Sequence, residues 1–226
     1  GNGITSIPNN LFYDCNSLTT LSIGNGIAAI TDALFNYTPQ LITLYLGSSI
    51  NTIAANAFAN CPLLATIAID PANPTLKTGE DGVIFNHDGT VIVHYPTGKA
   101  GPYVIPDGVT DIADGAFAYA RLLNALTVPG SLKTIPGQAF HVWSFNSSLS
   151  EVILREGIEH IDCQAFLGCP IGQVTLPASL ISCDPEAFTN TSGAGPLSPL
   201  AAYDVAPGNT HLKTIDGVLF SADGTT

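Results

Sequence analysis

Five cysteines, five histidines and eighteen aspartates and glutamates are the side chains of this 226-residue chain that could ligate a metal, attack a carbonyl or pass a proton. Their spacing points away from all three. No Cys-x-x-Cys occurs, and the step from Cys163 to Cys169 is not a zinc spacing. His87, His94, His141, His160 and His211 never pair at the step that sets two imidazoles on one helical face, and none accompanies a nucleophile. All five read as solvated loop or strand positions. Glu80-Asp81-Gly82 and His87-Asp88-Gly89 hold too few oxygens for a calcium loop, which needs ligands at alternate positions and a closing Glu. Turn formation accounts better for such Asp-Gly pairs. Gly79-Glu80-Asp81-Gly82 lacks the Lys-Ser/Thr that follows a phosphate loop. The expectation is a protein that is not an enzyme, with no catalytic residues, no metal and no cofactor.

Charge narrows the partners. Six Lys and Arg against eighteen Asp and Glu give a formal net charge of −12. That sign argues against nucleic acid and against an anionic membrane surface, since both need clustered cations. No run long and apolar enough to cross a bilayer is present. Charged residues are only 11% and hydrophobic ones 46%, a balance that folds rather than stays disordered. Asn36-Tyr37-Thr38, Asn146-Ser147-Ser148 and Asn190-Thr191-Ser192 fit the glycosylation sequon, which has meaning only in a eukaryotic secreted protein. The chain opens on Gly1-Asn2-Gly3, contains no methionine and closes on Gly224-Thr225-Thr226, so it is expected to be a piece of a longer protein.

Phenylalanine sets the period. Phe12, Phe35, Phe58, Phe117, Phe140, Phe166 and Phe188 are separated by 23, 23, 59, 23, 26 and 22 residues. Five residues before each stands Ile7, Ile30, Ile53, Ile112, Ile135, Ile161 or Cys183. After each comes an apolar-x-x-apolar-x-apolar segment, as in Leu18-x-x-Leu21-x-Ile23 and Leu41-x-x-Leu44-x-Leu46. Its end has period 2 and branched residues, the mark of a short strand with one buried face. One such module cannot shield its own apolar residues, but stacked copies bury one another. The fold class expected is an α/β-type solenoid, mostly β: a right-handed coil with parallel strands and seven repeats of about 23 residues.

The 59-residue gap holds an extra segment, residues 71–106, in which two β-rich runs flank the hairpin signal Asp88-Gly89. Leu76-Lys77-Thr78 and Gly82-Val83-Ile84-Phe85 return as Leu212-Lys213-Thr214 and Gly217-Val218-Leu219-Phe220. The expected organisation is one continuous solenoid domain: repeats 1–3 over residues 1–70, a hairpin island over 71–106, repeats 4–7 over 107–206, and the start of a second island over 207–226. Insertions after Phe140, around Trp143, and after Phe188 are expected to form loops. Cys15, Cys61 and Cys169 share one column. Two coils separate Cys15 from Cys61, about twice the ~4.8 Å strand spacing and beyond the ~7 Å reach of a disulfide. These thiols read as small buried apolar groups, Cys183 as an inert substitute for a core Ile, and Cys163 as the exposed thiol.

The repeat leaves one face free. The outward strand positions read Thr20, Thr43, Thr66, Ala125, Glu151, Gln173, Ala202 and, beside them, Ser22, Tyr45, Ala68, Thr127, Ile153, Thr175, Asp204. Threonine suits a pleated, half-exposed surface for its β-propensity alone. The same face offers a broad protein-contact surface with Tyr45, Ile153 and Trp143 as apolar anchors. The candidate binding residues are therefore Thr20, Thr43, Tyr45, Thr66, Thr127, Glu151, Ile153 and Gln173.

The Ile-x-x-x-(Ala/Leu)-Phe-x-x-Cys pattern resembles the BspA-like class of leucine-rich repeats of bacterial and some protist surface proteins. Gly26 and Ser49 lie where receptor-type repeats carry an asparagine, so no asparagine ladder is expected. The resemblance implies a non-catalytic protein-binding or adhesion module of a bacterial cell-surface or secreted protein. Its partner would be a host matrix protein or another microbial surface protein, and its location extracellular. The alternative is a rigid spacer or scaffold whose binding activity lies in other domains of the parent protein. Uncapped coil ends also suggest end-to-end self-association.

Overall fold

The computed structural model describes residues 3–32, 34–35, 37–141, 147–189 and 200–224. Within them the chain is a mostly-β parallel solenoid of about 7 turns. No helix occurs among the described residues, and the segment from each Ile to its Phe is a run of turns. The α component of the expected fold class is thus replaced by turns. The insertion around Trp143, residues 190–199 and the sequon residues Asn36, Asn146 and Asn190 lie outside the described residues.

Two compact units are distinguished: Gly1–Lys99 with Ala113–Ala120, and Ala100–Ile112 with Arg121–Thr226. In the first unit, strands Thr20–Ile23, Thr43–Leu46 and Thr66–Ile69 pair in parallel, with Leu21, Leu44 and Ile67 in register. In the second, Leu123–Val128 lies between Gly101–Val104 and Glu151–Leu154, again all parallel. Gln173–Leu176 pairs with Ala202–Val205. Three two-residue strands, Thr134–Ile135, His160–Ile161 and Ser182–Cys183, form a second small sheet in this unit.

Period and packing meet in the aromatic column. In the first unit Phe12 stacks on Phe35 at 5.2 Å and Phe35 on Phe58 at 5.6 Å. In the second, Phe140 stacks on Phe166 at 5.0 Å and Phe166 on Phe188 at 4.8 Å. All but Phe12 are buried. The spacing follows from the strand ladder, because rings one coil apart inherit the ~4.8 Å rise of the sheet. Each stacked pair adds about 0.5–1.5 kcal/mol beyond the burial of its area.

The island is a three-stranded antiparallel meander, Leu76–Thr78, Ile84–Asn86 and Val91–His94. Its second turn follows Asn86, whose side-chain oxygen accepts the N–H groups of Gly89, Thr90 and Val91. The end of the meander does something the repeat pattern did not suggest. His94 is only 3% exposed, and its ring lies 4.9 Å from that of Phe58. Tyr95 is buried too and stacks on Phe117 at 5.0 Å. The island therefore supplies two rings to the aromatic column where the Phe spacing stretches to 59 residues. The solvated reading of His94 is corrected: it belongs to the core, with no hydrogen-bond partner for Nε2, and burial pushes its imidazole down to about 4.

Polar side chains join successive coils. Asn73 is buried; its amide donates to the carbonyls of Ile50 (2.7 Å) and Gly47 (3.4 Å), and its oxygen accepts from the N–H of Thr75 and Leu76 (both 2.8 Å). Asn209 repeats this pattern on Leu180, Pro177, His211 and Leu212. Thr78 closes the free edge of Thr66–Ile69, its hydroxyl accepting from Ile69 N–H and donating to Ile67 carbonyl. In the second unit Ser131 takes the N–H of Gly108 and donates to Val109, while Ser179 takes that of Gly157 and donates to Ile158. Serine across from glycine does here the bridging that an asparagine ladder does in receptor-type repeats. The fit between coils is close: a Cβ at Gly130 would run into the carbonyl of Glu156.

Candidate functional site

Alternation along each strand decides which side chains reach solvent. Leu44 and Leu46 point inward and are buried, so Thr43 and Tyr45 must point out. Register then converts positions into rows. In the first unit Thr20, Thr43 and Thr66 stand side by side, and Ser22, Tyr45 and Ala68 form the adjacent row. Tyr45 is 50% exposed. It rims a shallow depression of about 490 Å³ at the ends of these strands, together with Asn25, Ala68, Asp70 and Pro71.

In the second unit the sheet unites Glu151, Thr127 and Ile153. Ile153 is 51% exposed and Val104 is 54% exposed, one on either side of Thr127. Gln173 stands in another sheet of this unit, opposite Ala202. Val104 and its neighbour Pro102 were missed as face residues because they fall inside the interval assigned to the island. Gly101–Val104 instead runs parallel to Leu123–Val128. A signal was present: Pro102-Tyr103-Val104-Ile105 repeats the strand alternation, with Tyr103 and Ile105 buried and Val104 out.

The groups with intrinsic reactivity lie elsewhere and are engaged structurally. Cys61 is buried, its thiol 3.1 Å from both the Phe35 carbonyl and the Thr38 hydroxyl. Thr38 stands in the same column and donates to Phe35 carbonyl, so threonine replaces cysteine there as a short donor. Cys169 approaches the Phe140 carbonyl at 3.4 Å in the same way. Burial raises the pKa of Cys61, and it pushes those of Cys169 and Cys183 up to about 12. Cys163 is exposed and lies 3.5 Å from a Glu186 oxygen. Among the described residues no group of three or more His, Cys, Asp or Glu is placed to hold a metal ion. No helix among them is long and apolar enough to cross a membrane.

A family model for the BspA type leucine-rich repeat region matches residues 1–86 and 102–194 in six copies. The chain belongs to this family. No curated protein matches it. Among solved structures, the pneumococcal vaccine antigen PcpA aligns with a TM-score of 0.51 at 17% identity over 85% of this chain. A leucine-rich cell surface protein of Faecalibacterium prausnitzii aligns at 0.48 with 20% identity over 86%. A leucine-rich repeat protein of Eubacterium ventriosum aligns at 0.49 with 20% identity over 83%. The chain spans 64%, 62% and 63% of these structures respectively, less than two thirds of each. At such identities PcpA supports the fold of this BspA-type array and nothing finer.

Proposed function

We propose that this BspA-type array is a non-catalytic protein-binding module of a bacterial cell-surface or secreted protein, and that it binds through the outward strand face. The observation that carries the reading is the row Val104, Thr127, Ile153. It places two half-exposed aliphatic side chains on a sheet whose strands are held by parallel pairing with one another. Tyr45 supplies an aromatic anchor on the first unit's face. A rigid sheet orders few groups on binding, which lowers the entropic cost of association. Aromatic and branched side chains set among small hydroxyls are the composition from which interface hot spots are made. The net charge of −12 favours a basic partner surface.

The test is retention of host matrix proteins and microbial surface proteins on the immobilised chain, followed by affinity measurement with Tyr45→Ala and Ile153→Ala. Each substitution is expected to weaken binding at least tenfold, about 1.4 kcal/mol, with the unfolding midpoint nearly unchanged. Retention that neither substitution alters, or no retention at all, would transfer the function to a spacer or scaffold role.

A further inference from the structure

Just past the Tyr45 row, the outward face of the first unit is hollowed by a residue without a side chain. The strands run in register to Ile23, Leu46 and Ile69, and the Asp70 N–H then donates to the Leu46 carbonyl at 2.8 Å. Asp70 therefore stands across from Gly47. By alternation both belong to the same face as Tyr45 and Ala68, two residues before them. Gly47 is required there: a Cβ on it would come within 2.3 Å of the Asn25 side-chain oxygen, which is held in place by accepting the Ser48 N–H at 3.0 Å. Tyr45, Ala68, Asp70 and Asn25 thus surround the depression of about 490 Å³, with Gly47 between them. It opens outward from three paired strands, away from the stacking axis, so neither end of the array takes part in it.

We infer that this hollow holds an arginine side chain of a protein partner, its guanidinium lying on the Tyr45 ring and donating to Asp70. The inference rests on the strand face being the binding surface, and it names what the first unit's part of that face takes. Tyr45 is 50% exposed and bounds the same hollow as Asp70. An aromatic face beside a carboxylate is a site for a cation. Asp70 Oδ1 accepts the Ala72 N–H at 2.9 Å, which fixes the carboxylate and leaves its second oxygen for a ligand. Residues 1–76 contain no lysine or arginine, so the three coils that build the hollow supply no cation of their own. Lys77, the next along the chain, has its Nζ against Gly89 in the island turn. Guanidinium suits the place better than ammonium, because it is planar, weakly hydrated and able to stack on a ring while it donates in a fork. The Asn25 amide is left to donate to a backbone carbonyl of the same segment.

The experiment titrates the full chain with N-acetyl-arginine-N-methylamide at low salt and follows amide shifts by NMR. Saturable shifts are expected at Tyr45, Gly47 and Asp70. The lysine analogue should bind at least threefold more weakly. The citrulline analogue, which keeps the shape and loses the charge, should bind at least tenfold more weakly. Asp70→Asn keeps an acceptor for the Ala72 N–H and removes only the charge; it should weaken the arginine probe at least fivefold with the unfolding midpoint nearly unchanged. Tyr45→Leu should weaken it at least threefold, and added salt should weaken it in the parent chain. No saturable binding, citrulline equal to arginine, an unaltered Asp70→Asn affinity, or methyl glycosides shifting these residues where arginine does not, would each overturn the proposal. The titration needs no protein partner, so it stands apart from the retention test. A hollow that refuses arginine while Ile153→Ala still weakens retention overturns this inference alone.

Discussion

Acid should loosen this protein through one ring. His94 sits within the aromatic column against Phe58, and burial lowers its pKa from the ordinary 6.5 to about 4. Above pH 6.5 the imidazole is neutral in both folded and unfolded chains, and it contributes no pH dependence. Between 6.5 and 4 the unfolded chain binds a proton that the folded chain refuses, so stability falls as pH falls. Below 4 both forms are protonated and the loss is complete. At 1.36 kcal/mol per unit, a depression of this size destabilises the fold by about 3 kcal/mol in all, of which about 2 kcal/mol is lost between pH 7 and pH 5. His141, whose pKa burial also lowers, acts in the same direction. The assay is urea unfolding followed by circular dichroism across this range, in the parent chain and in His94→Phe. Phenylalanine keeps the ring on Phe58 and cannot titrate, so the difference between the two chains isolates the imidazole from every carboxylate. The His94→Phe chain should lose about 2 kcal/mol less from pH 7 to pH 5. Parallel pH profiles for the two chains would refute the buried, neutral histidine.

Other perturbations test the column and its ties. Phe166→Ala removes a ring stacked on both Phe140 and Phe188 and should cost about 3–5 kcal/mol, whereas His87→Ala, at an exposed turn, should stay within about 0.5 kcal/mol; both are read from urea midpoints. Asn73→Ala strands the Leu76 N–H and the Ile50 carbonyl, both on buried residues, and should destabilise by about 2–6 kcal/mol, taking about 1–3 kcal/mol for each of these two groups left without water. Cys61→Thr should be nearly neutral, because Thr38 already does the same work in that column, while Cys61→Val loses the donor and should unfold at lower urea. A thiol reagent at pH 8 should modify Cys163 in the native protein and reach Cys61 and Cys169 only on unfolding, as mass spectrometry of the labelled peptides would show.

Much of the fold was legible because a solenoid writes its third dimension into its first. When each coil packs only on its neighbours, residues of one column recur at one period, and Phe35, Phe58 and Phe166 could be placed in the core by counting alone. The outward rows followed by alternation once the strands were located, which is why Thr43 and Tyr45 could be assigned to a face. Hairpin chemistry was equally local: Asp88-Gly89 marks its turn through residue type.

Periodicity by itself therefore determined the coil, its buried rings and its solvent face. Tertiary structure decided what enters those columns from outside the period. His94 and Tyr95 join the aromatic stack, Val104 joins the strand face, and Asn73 and Asn209 hold carbonyls of earlier coils. Each lies in or beside an island whose length breaks the count, so no spacing connects it to its column. The meander alone sets how far the chain travels before it returns, and a shift of one residue there would turn His94 away from Phe58.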